Sequence, residues 1–341
     1  MLVDDLADRH AHCSDPCVRG VYLLEFAGDD DELAVVEAGA VGAGLEQIAP
    51  GVALAGSLEV ERVRGLAFTR RASELVARSD GTIPGARAAL AAAKLDRSGS
   101  VAVRASRVRD TSAVSTAEAE RVLGTVLVER GFDVDLETPD QVLRVVFTGD
   151  TAAIGWQLAE SARDFGERAP TDKPFFQPGS MDPHLARAVA NIAGAGPDRT
   201  VLDPMCGTGG VLVEAGLVGA TVLGMDAQER MVRGARENLQ HYLSGRYAVG
   251  VADATRVPVA DDAVDTVVFD APYGRQSPVA AGDLEDLVAG ALLEARRVAD
   301  RGVVVGDRRW DQPAREAGWR VETTLHRRVH RSLTRHLHVL V

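Results

Sequence analysis

The chain predicts an α/β fold whose C-terminal half is a mostly parallel, doubly wound sheet. Three observations carry this. Short apolar strands alternate with helical segments along both halves. From Thr200 to Leu217 a strand, a glycine-rich turn and a helix follow one another. Four apolar stretches of the second half end in an aspartate, namely Asp203, Asp226, Asp253 and Asp270. With 341 residues and a hydrophobic fraction of 46%, there is material for two packed domains.

Residues 1–17 are expected to be an N-terminal extension. His10, His12, Cys13 and Cys17 lie there without a second ligand pair at zinc-finger spacing, so no metal is expected. The three cysteines form no disulfide framework, and no run approaches the roughly 20 apolar residues of a membrane span. A cytoplasmic protein without membrane contact is the expectation.

Residues 18–155 should form two small α/β units. Val21 to Phe26 is strand-like, Glu32 to Val41 helix-like, and Leu58 to Phe68 strand-like by its loose alternation. Ser100 to Arg104 alternates as a strand. Ser115 opens a helix with Glu118 in capping-box position, and Gly131 stops it. From Val134 to Phe147 two strands joined by a Pro139-Asp140 turn are expected. Residues 156–176, rich in Pro, Arg and Asp, are expected to be a linker. In the domain over 177–341, Asp182 should cap a helix with Pro183 at its first position and Gly194 beyond its end.

Thr200 to Leu202 then runs into Asp203-Pro204-Met205-Cys206-Gly207-Thr208-Gly209-Gly210, the opening unit of a Rossmann-like domain. A dinucleotide fingerprint would need glycine where Leu212 stands and would not need Asp203. An amino acid joined to a sulfonium does need an acid near its ammonium. S-adenosylmethionine is therefore the expected cofactor, with Asp203 at the ammonium and Gly207 and Gly209 flanking the methionine. Asp226 follows Gly207 by 19 residues, close to the ~20 expected of an acid on ribose hydroxyls, and could also cap the next helix. Asp253, after a strand near Val249 to Ala252, falls where such folds meet the adenine amino group.

The buried-type strand Val264 to Phe269 ends in Asp270-Ala271-Pro272-Tyr273-Gly274. An exocyclic amino nitrogen on a base is a poor nucleophile because its lone pair is delocalised into the ring. A carboxylate and a backbone carbonyl that accept its two hydrogens localise that pair for in-line methyl transfer. Asp270 is the expected acceptor, the Ala271 or Pro272 carbonyl the second, and Tyr273 a stacking partner. Cytosine carbon-5 methylation would require a cysteine nucleophile near this proline, and none is present. Cys206 is expected to pack.

The segment Val134 to Phe147 resembles the THUMP domain, an RNA-binding module of tRNA-modifying enzymes. The two aspartate-led motifs, together with Thr171-Asp172-Lys173-Pro174-Phe175-Phe176-Gln177-Pro178-Gly179, resemble the THUMP-domain guanine-N2 methyltransferases of tRNA, most closely the archaeal guanine-10 dimethyltransferases. That resemblance implies a ferredoxin-like plus THUMP region before the catalytic domain and tRNA as partner. It also implies a target amino group at guanosine N2, at position 10, methylated once and then again. By the same likeness Asp203, Gly207, Gly209, Asp226 and Asp253 bind cofactor, while Asp270, Pro272 and Tyr273 act on the base. The usual motif is Asp-Pro-Pro-Tyr, so Ala271 is a departure.

The net charge of −12 argues against a general nucleic-acid surface. Lys94 and Lys173 are the only lysines among 38 basic residues, and acidic runs such as Asp29 to Glu32 sit at turns. This resembles the composition of proteins from salt-accumulating cells, in which local charge is the informative quantity. Arg104, Arg107 and Arg109, in the THUMP-like unit, are the expected RNA contacts. The stretch holding Arg320, Arg327, Arg328, Arg331 and Arg335 with His326, His330, His336 and His338 either meets phosphates or solvates an exposed strand. Two other functions stay open. One is a DNA or RNA amino-methyltransferase acting on adenine N6. The other is a tRNA-binding protein whose catalytic domain needs a small activating subunit.

Overall fold

The computed structural model describes residues 20–272, 281–330 and 333–341. The first region contains β1 (Tyr22–Phe26), α1 (Asp31–Ala38), β2 (Gly42–Ala43), β3 (Glu46–Ala49), β4 (Val52–Ala55), β5 (Ser57–Leu58), β6 (Thr69–Asp80), α2 (Ile83–Ala92), β7 (Ser100–Arg107), α3 (Thr116–Glu129), β8 (Asp133–Val134), β9 (Gln141–Thr148) and β10 (Thr151–Glu160). The second contains α4 (Pro183–Ala193), β11 (Thr200–Asp203), α5 (Gly210–Leu217), β12 (Thr221–Asp226), α6 (Glu229–Tyr242), β13 (Tyr247–Val251), β14 (Thr266–Asp270), α7 (Ala281–Val298), β15 (Gly302–Gly306), α8 (Asp311–Glu316), β16 (Val321–His330) and β17 (Leu333–Leu340).

One eight-stranded sheet, in the order β3-β4-β1-β6-β10-β9-β7-β8, runs through the whole first region. Its central strand β6 was not anticipated. The stretch Leu58 to Phe68, expected as a strand, instead holds the end of β5 and a 3-10 turn over Val60–Gly65; the strand begins at Thr69. The alternation there serves the turn, which buries Val63 and exposes Glu61. β6 conceals its strand character behind charges that are used across the sheet: Arg71 pairs with Glu160 at 2.6 Å, and Glu74 with Arg97 at 2.6 Å. Asp133–Val134 and β9 flank β7, each parallel to it, rather than forming a hairpin. Asp140 accepts from the Ser100 amide (2.9 Å) and hydroxyl (2.8 Å), which fixes the turn between them to β7. β10 continues to Glu160, so Trp156 to Glu160 are strand rather than linker.

The helix caps follow the sequence. Ser115 Oγ accepts from the Glu118 amide at 3.3 Å, Asp182 Oδ1 from the His184 amide at 2.9 Å, and Gly194 closes α4 at φ +96°. The acidic run near α1 has structural work as well. Asp30 caps α1 through the Leu33 amide at 3.2 Å and pairs with Arg327 at 3.3 Å, while Asp31 accepts from the Gly51 amide at 2.9 Å and from Arg109.

The second region is a seven-stranded sheet in the order β13-β12-β11-β14-β15-β17-β16, parallel except for β17, which lies antiparallel between β15 and β16. This is the Rossmann-like class I methyltransferase arrangement that the sequence led us to expect. Its strand order reverses between β11 and β14, so a crevice opens beyond the carboxyl ends of those two strands.

A shared core joins the regions. Glu37 of α1, fully buried, accepts from the Ala67 amide (2.7 Å), the Phe68 amide (2.6 Å) and the Asn191 side chain of α4 (2.7 Å). Burial raises its pKa above its ordinary value, against the pull of those donors. Arg327 of β16 stacks on Phe68, 4.9 Å from its centroid.

Candidate active site

Asp203 ends β11 and Asp270 ends β14, on the two flanks of the strand-order reversal. Asp226 ends the adjacent β12. Asp203 is 3% exposed and accepts from the Met205 amide at 3.0 Å. Burial pushes its carboxyl well above the ordinary range, and the charges of Asp226 and Asp270 push the same way. Three acids therefore meet at one sheet edge, which favours a cationic ligand there.

The glycine loop is built for close approach. Gly207 has φ +53° with open space where a Cβ would stand, and Gly209, at φ +74°, is the N-cap of α5. Asp226 fastens the loop, accepting from the Gly207 amide (3.0 Å) and from the Gln228 amide (2.9 Å). The residue at the N-cap of α6 is Gln228, whose side chain makes no capping bond, so Asp226 holds the amide of the cap residue rather than capping the helix itself. Asp253 Oδ1 holds a turn through the Thr255 amide (2.9 Å) and hydroxyl (2.8 Å). Cys206 is buried within the loop, with its thiol pKa raised by burial, as fits a packing residue.

Asp270 receives Nη2 of Arg335 at 3.4 Å, and the same nitrogen reaches the Gly179 carbonyl at 3.4 Å. Arg335 is 4% exposed. This residue had been grouped with a solvated or phosphate-meeting stretch; the structure places it inside instead. His338 is fully buried too, accepting from the Trp310 amide at 3.1 Å, and burial lowers its pKa to about 4. Next to Asp270, the Ala271 amide donates to the Val305 carbonyl at 2.7 Å. A proline in this position would lack that donor, so alanine here extends the strand pairing by one bond. Pro272 follows, half-buried. Tyr273 lies outside the described residues, as do His10, His12, Cys13 and Cys17.

The segment before α4 walls the loop. The Phe175 amide donates to Asn238 Oδ1 at 2.9 Å, and Asn238 Nδ2 donates to the Phe175 carbonyl (2.9 Å) and the Thr208 carbonyl (2.8 Å). Phe175 fills the space over Gly234, where any Cβ would overlap its ring, and Ser180 bonds Thr208 at 3.2 Å. The sequence marks this segment as the end of the expected linker and as part of a resemblance.

The three arginines expected to meet RNA are partly committed within the protein. Arg104 donates to the Leu136 carbonyl at 2.6 Å, Arg109 to the Gly28 carbonyl at 2.8 Å and to Asp31, and Arg107 pairs with the exposed Asp110 at 3.3 Å.

Residues 170–336 match the UPF0020 family model, the RMKL-like methyltransferase domain. Three archaeal relatives are each named tRNA (guanine(10)-N2)-dimethyltransferase. That of Methanothermobacter thermautotrophicus is 40% identical over 194 residues, which span 56% of this chain and 57% of that protein. That of Pyrococcus abyssi is 33% identical, over 65% of this chain and 68% of its own length. That of Methanocaldococcus jannaschii is 32% identical, over 72% of this chain and 71% of its own length. The chain belongs to this methyltransferase family. S-adenosylmethionine is the cofactor of such domains, and the buried acid, the open glycine loop and the crevice suit it. Among the described residues of the methyltransferase, no helix is long and apolar enough to cross a membrane.

The Arg335 contact leads to a measurable expectation. A guanidinium beside a carboxylate favours its charged form and fixes its orientation. Arg335→Met should lower kcat by about 10–100-fold while leaving the affinity for S-adenosylhomocysteine within about twofold, with Arg335→Lys falling between. A loss of cofactor affinity in proportion to kcat would reduce Arg335 to a structural part.

Proposed function

We propose that this chain transfers methyl groups from S-adenosylmethionine to N2 of a guanosine in tRNA, at position 10, once and then a second time. The observation that carries the reading is the placement of Asp203 and Asp270 on opposite flanks of the strand-order reversal. The cofactor, when bound, supplies an electrophilic methyl on a sulfonium.

Asp203 holds the cofactor's ammonium, Asp226 its ribose hydroxyls, and Asp253 its adenine edge, while Gly207 and Gly209 let the backbone approach. Asp270 accepts one hydrogen of the guanine amino group and the Pro272 carbonyl the other, which localises the nitrogen lone pair toward the methyl. Asp270 takes up the proton that the nitrogen releases after transfer. Arg335 keeps that carboxylate aimed before transfer. Tyr273 stacks on the base. A second transfer needs only the one hydrogen that the monomethylated nitrogen retains, so Asp270 serves both rounds. The first region, THUMP-like in the sequence over Val134 to Phe147, holds the tRNA, with Arg107 the most exposed of its three candidate arginines. Family membership supports guanine over adenine, since the chemistry at Asp270 suits either amino group.

The test is purified chain with labelled cofactor and unmodified tRNA, followed by nucleoside mass spectrometry. N2-methylguanosine and N2,N2-dimethylguanosine should appear at position 10. Methylated adenosine, or label in DNA alone, would overturn the reading; activity that appears only on adding a cell fraction would reveal an activating subunit.

A further inference from the structure

Lys173 is one of two lysines in a chain that otherwise uses arginine for its basic residues. It is also 5% exposed, a rare state for lysine unless it is paired. Its Nζ stands 3.3 Å from where a Cβ on Gly210, the first residue of α5, would lie. Such a berth suits a compact ammonium better than a planar guanidinium fork.

Among the described residues no hydrogen bond or ion pair engages that ammonium. The nearest buried acid, Glu214 on the same face of α5, is already held by Arg168 at 2.8 Å and Arg187 at 2.7 Å. Lys173 thus sits desolvated beside the positive end of a helix, where amides and dipole both repel a cation. Burial holds its pKa below the ordinary lysine value, outweighing the attraction of Glu214 and Asp182. The arrangement is fixed rather than casual, because Phe175, two residues on, is clamped to Asn238 and Gly234. An anion between the ammonium and the first-turn amides of α5 would remove every one of these costs.

We propose that Lys173 and the first-turn amides of α5 bind the α-carboxylate of the cofactor's methionine end. The inference rests on the reading of the glycine loop as the S-adenosylmethionine site. The zwitterion is then held at both poles: the ammonium at Asp203 and the carboxylate at Lys173.

Calorimetry with two probes tests this. S-adenosylhomocysteine carries the carboxylate; S-adenosyl-3-thiopropylamine keeps the ammonium and thioether but lacks it. The wild-type chain should bind the first about 30-fold or more tightly than the second. Lys173→Met should weaken S-adenosylhomocysteine by about the same factor and leave the decarboxylated compound within about twofold, so that the discrimination collapses. Equal weakening of both compounds, or a wild-type chain that does not distinguish them, overturns the proposal. If the variant fails to fold, the wild-type comparison still decides it. A wild-type chain that binds neither compound overturns the cofactor reading itself, an outcome distinct from binding without discrimination.

Discussion

Asp270→Asn should lower kcat/KM for tRNA by about 10³-fold while leaving the affinity for S-adenosylhomocysteine within about twofold. The substitution keeps the size and shape of the side chain but replaces one acceptor oxygen with an amino group that repels the hydrogens of the guanine nitrogen. It also removes the charge that Arg335 faces at 3.4 Å and the group that takes up the released proton. The proposed cofactor contacts lie on β11, β12 and the segments beyond them rather than on β14, so ground-state binding should feel only the loss of one of the three neighbouring acid charges. Single-turnover methylation by mass spectrometry gives the first quantity and calorimetry the second. A variant that retains wild-type turnover would remove Asp270 from the chemistry; one that loses cofactor affinity in proportion would make it a binding residue instead.

What the sequence revealed of this site is what lies close together along the chain. The run from Thr200 to Leu217 carries strand, turn and helix in order, so its fold and the place of Asp203, Gly207 and Gly209 could be read directly. Asp226, Asp253 and Asp270 were legible for a related reason: each closes an apolar strand, or follows one closely, and parallel strands bring such ends to one edge. Arg335 could not be read this way. It reaches Asp270 from 65 residues further on, because β17 inserts antiparallel beside β15, and nothing local distinguishes it from the exposed arginines around it.

Lys173 was hidden for the opposite reason, since a lysine in a Pro-rich segment is expected at the surface. Only its rarity in this composition hinted otherwise. β6 escaped because its charges suggest a solvated turn, whereas Arg71 and Glu74 find partners across the sheet that sequence spacing does not display. The linker estimate began too early for the same reason: Glu160, at the end of β10, is the partner of Arg71.

Asp203→Asn separates stability from function in the opposite sense to an ordinary core substitution. In the folded chain Asp203 is desolvated and faces two further acids, so its carboxyl holds a proton more tightly than in the unfolded chain, where its value lies near 3.8. A group with a raised folded-state pKa contributes stability that is complete below the unfolded value and is lost as pH rises through the folded one. The cofactor-free protein should therefore weaken as pH climbs from about 4 upward, through this group alone. Asparagine carries no such cost: it can still accept from the Met205 amide, as Asp203 does at 3.0 Å, without bringing a charge into the crevice. We expect the cofactor-free variant to melt at least about 2 °C above wild type at pH 8, with the difference vanishing near pH 4. Cofactor affinity should move the other way, falling on the order of 10²-fold, because the ammonium loses its buried counter-charge. Added S-adenosylhomocysteine should then raise the melting temperature of wild type much more than that of the variant. Scanning fluorimetry across pH with and without that ligand measures both effects together. A variant less stable than wild type at pH 8 would show that Asp203 is already compensated in the free protein, and the crevice would then have no need of a cation to neutralise it.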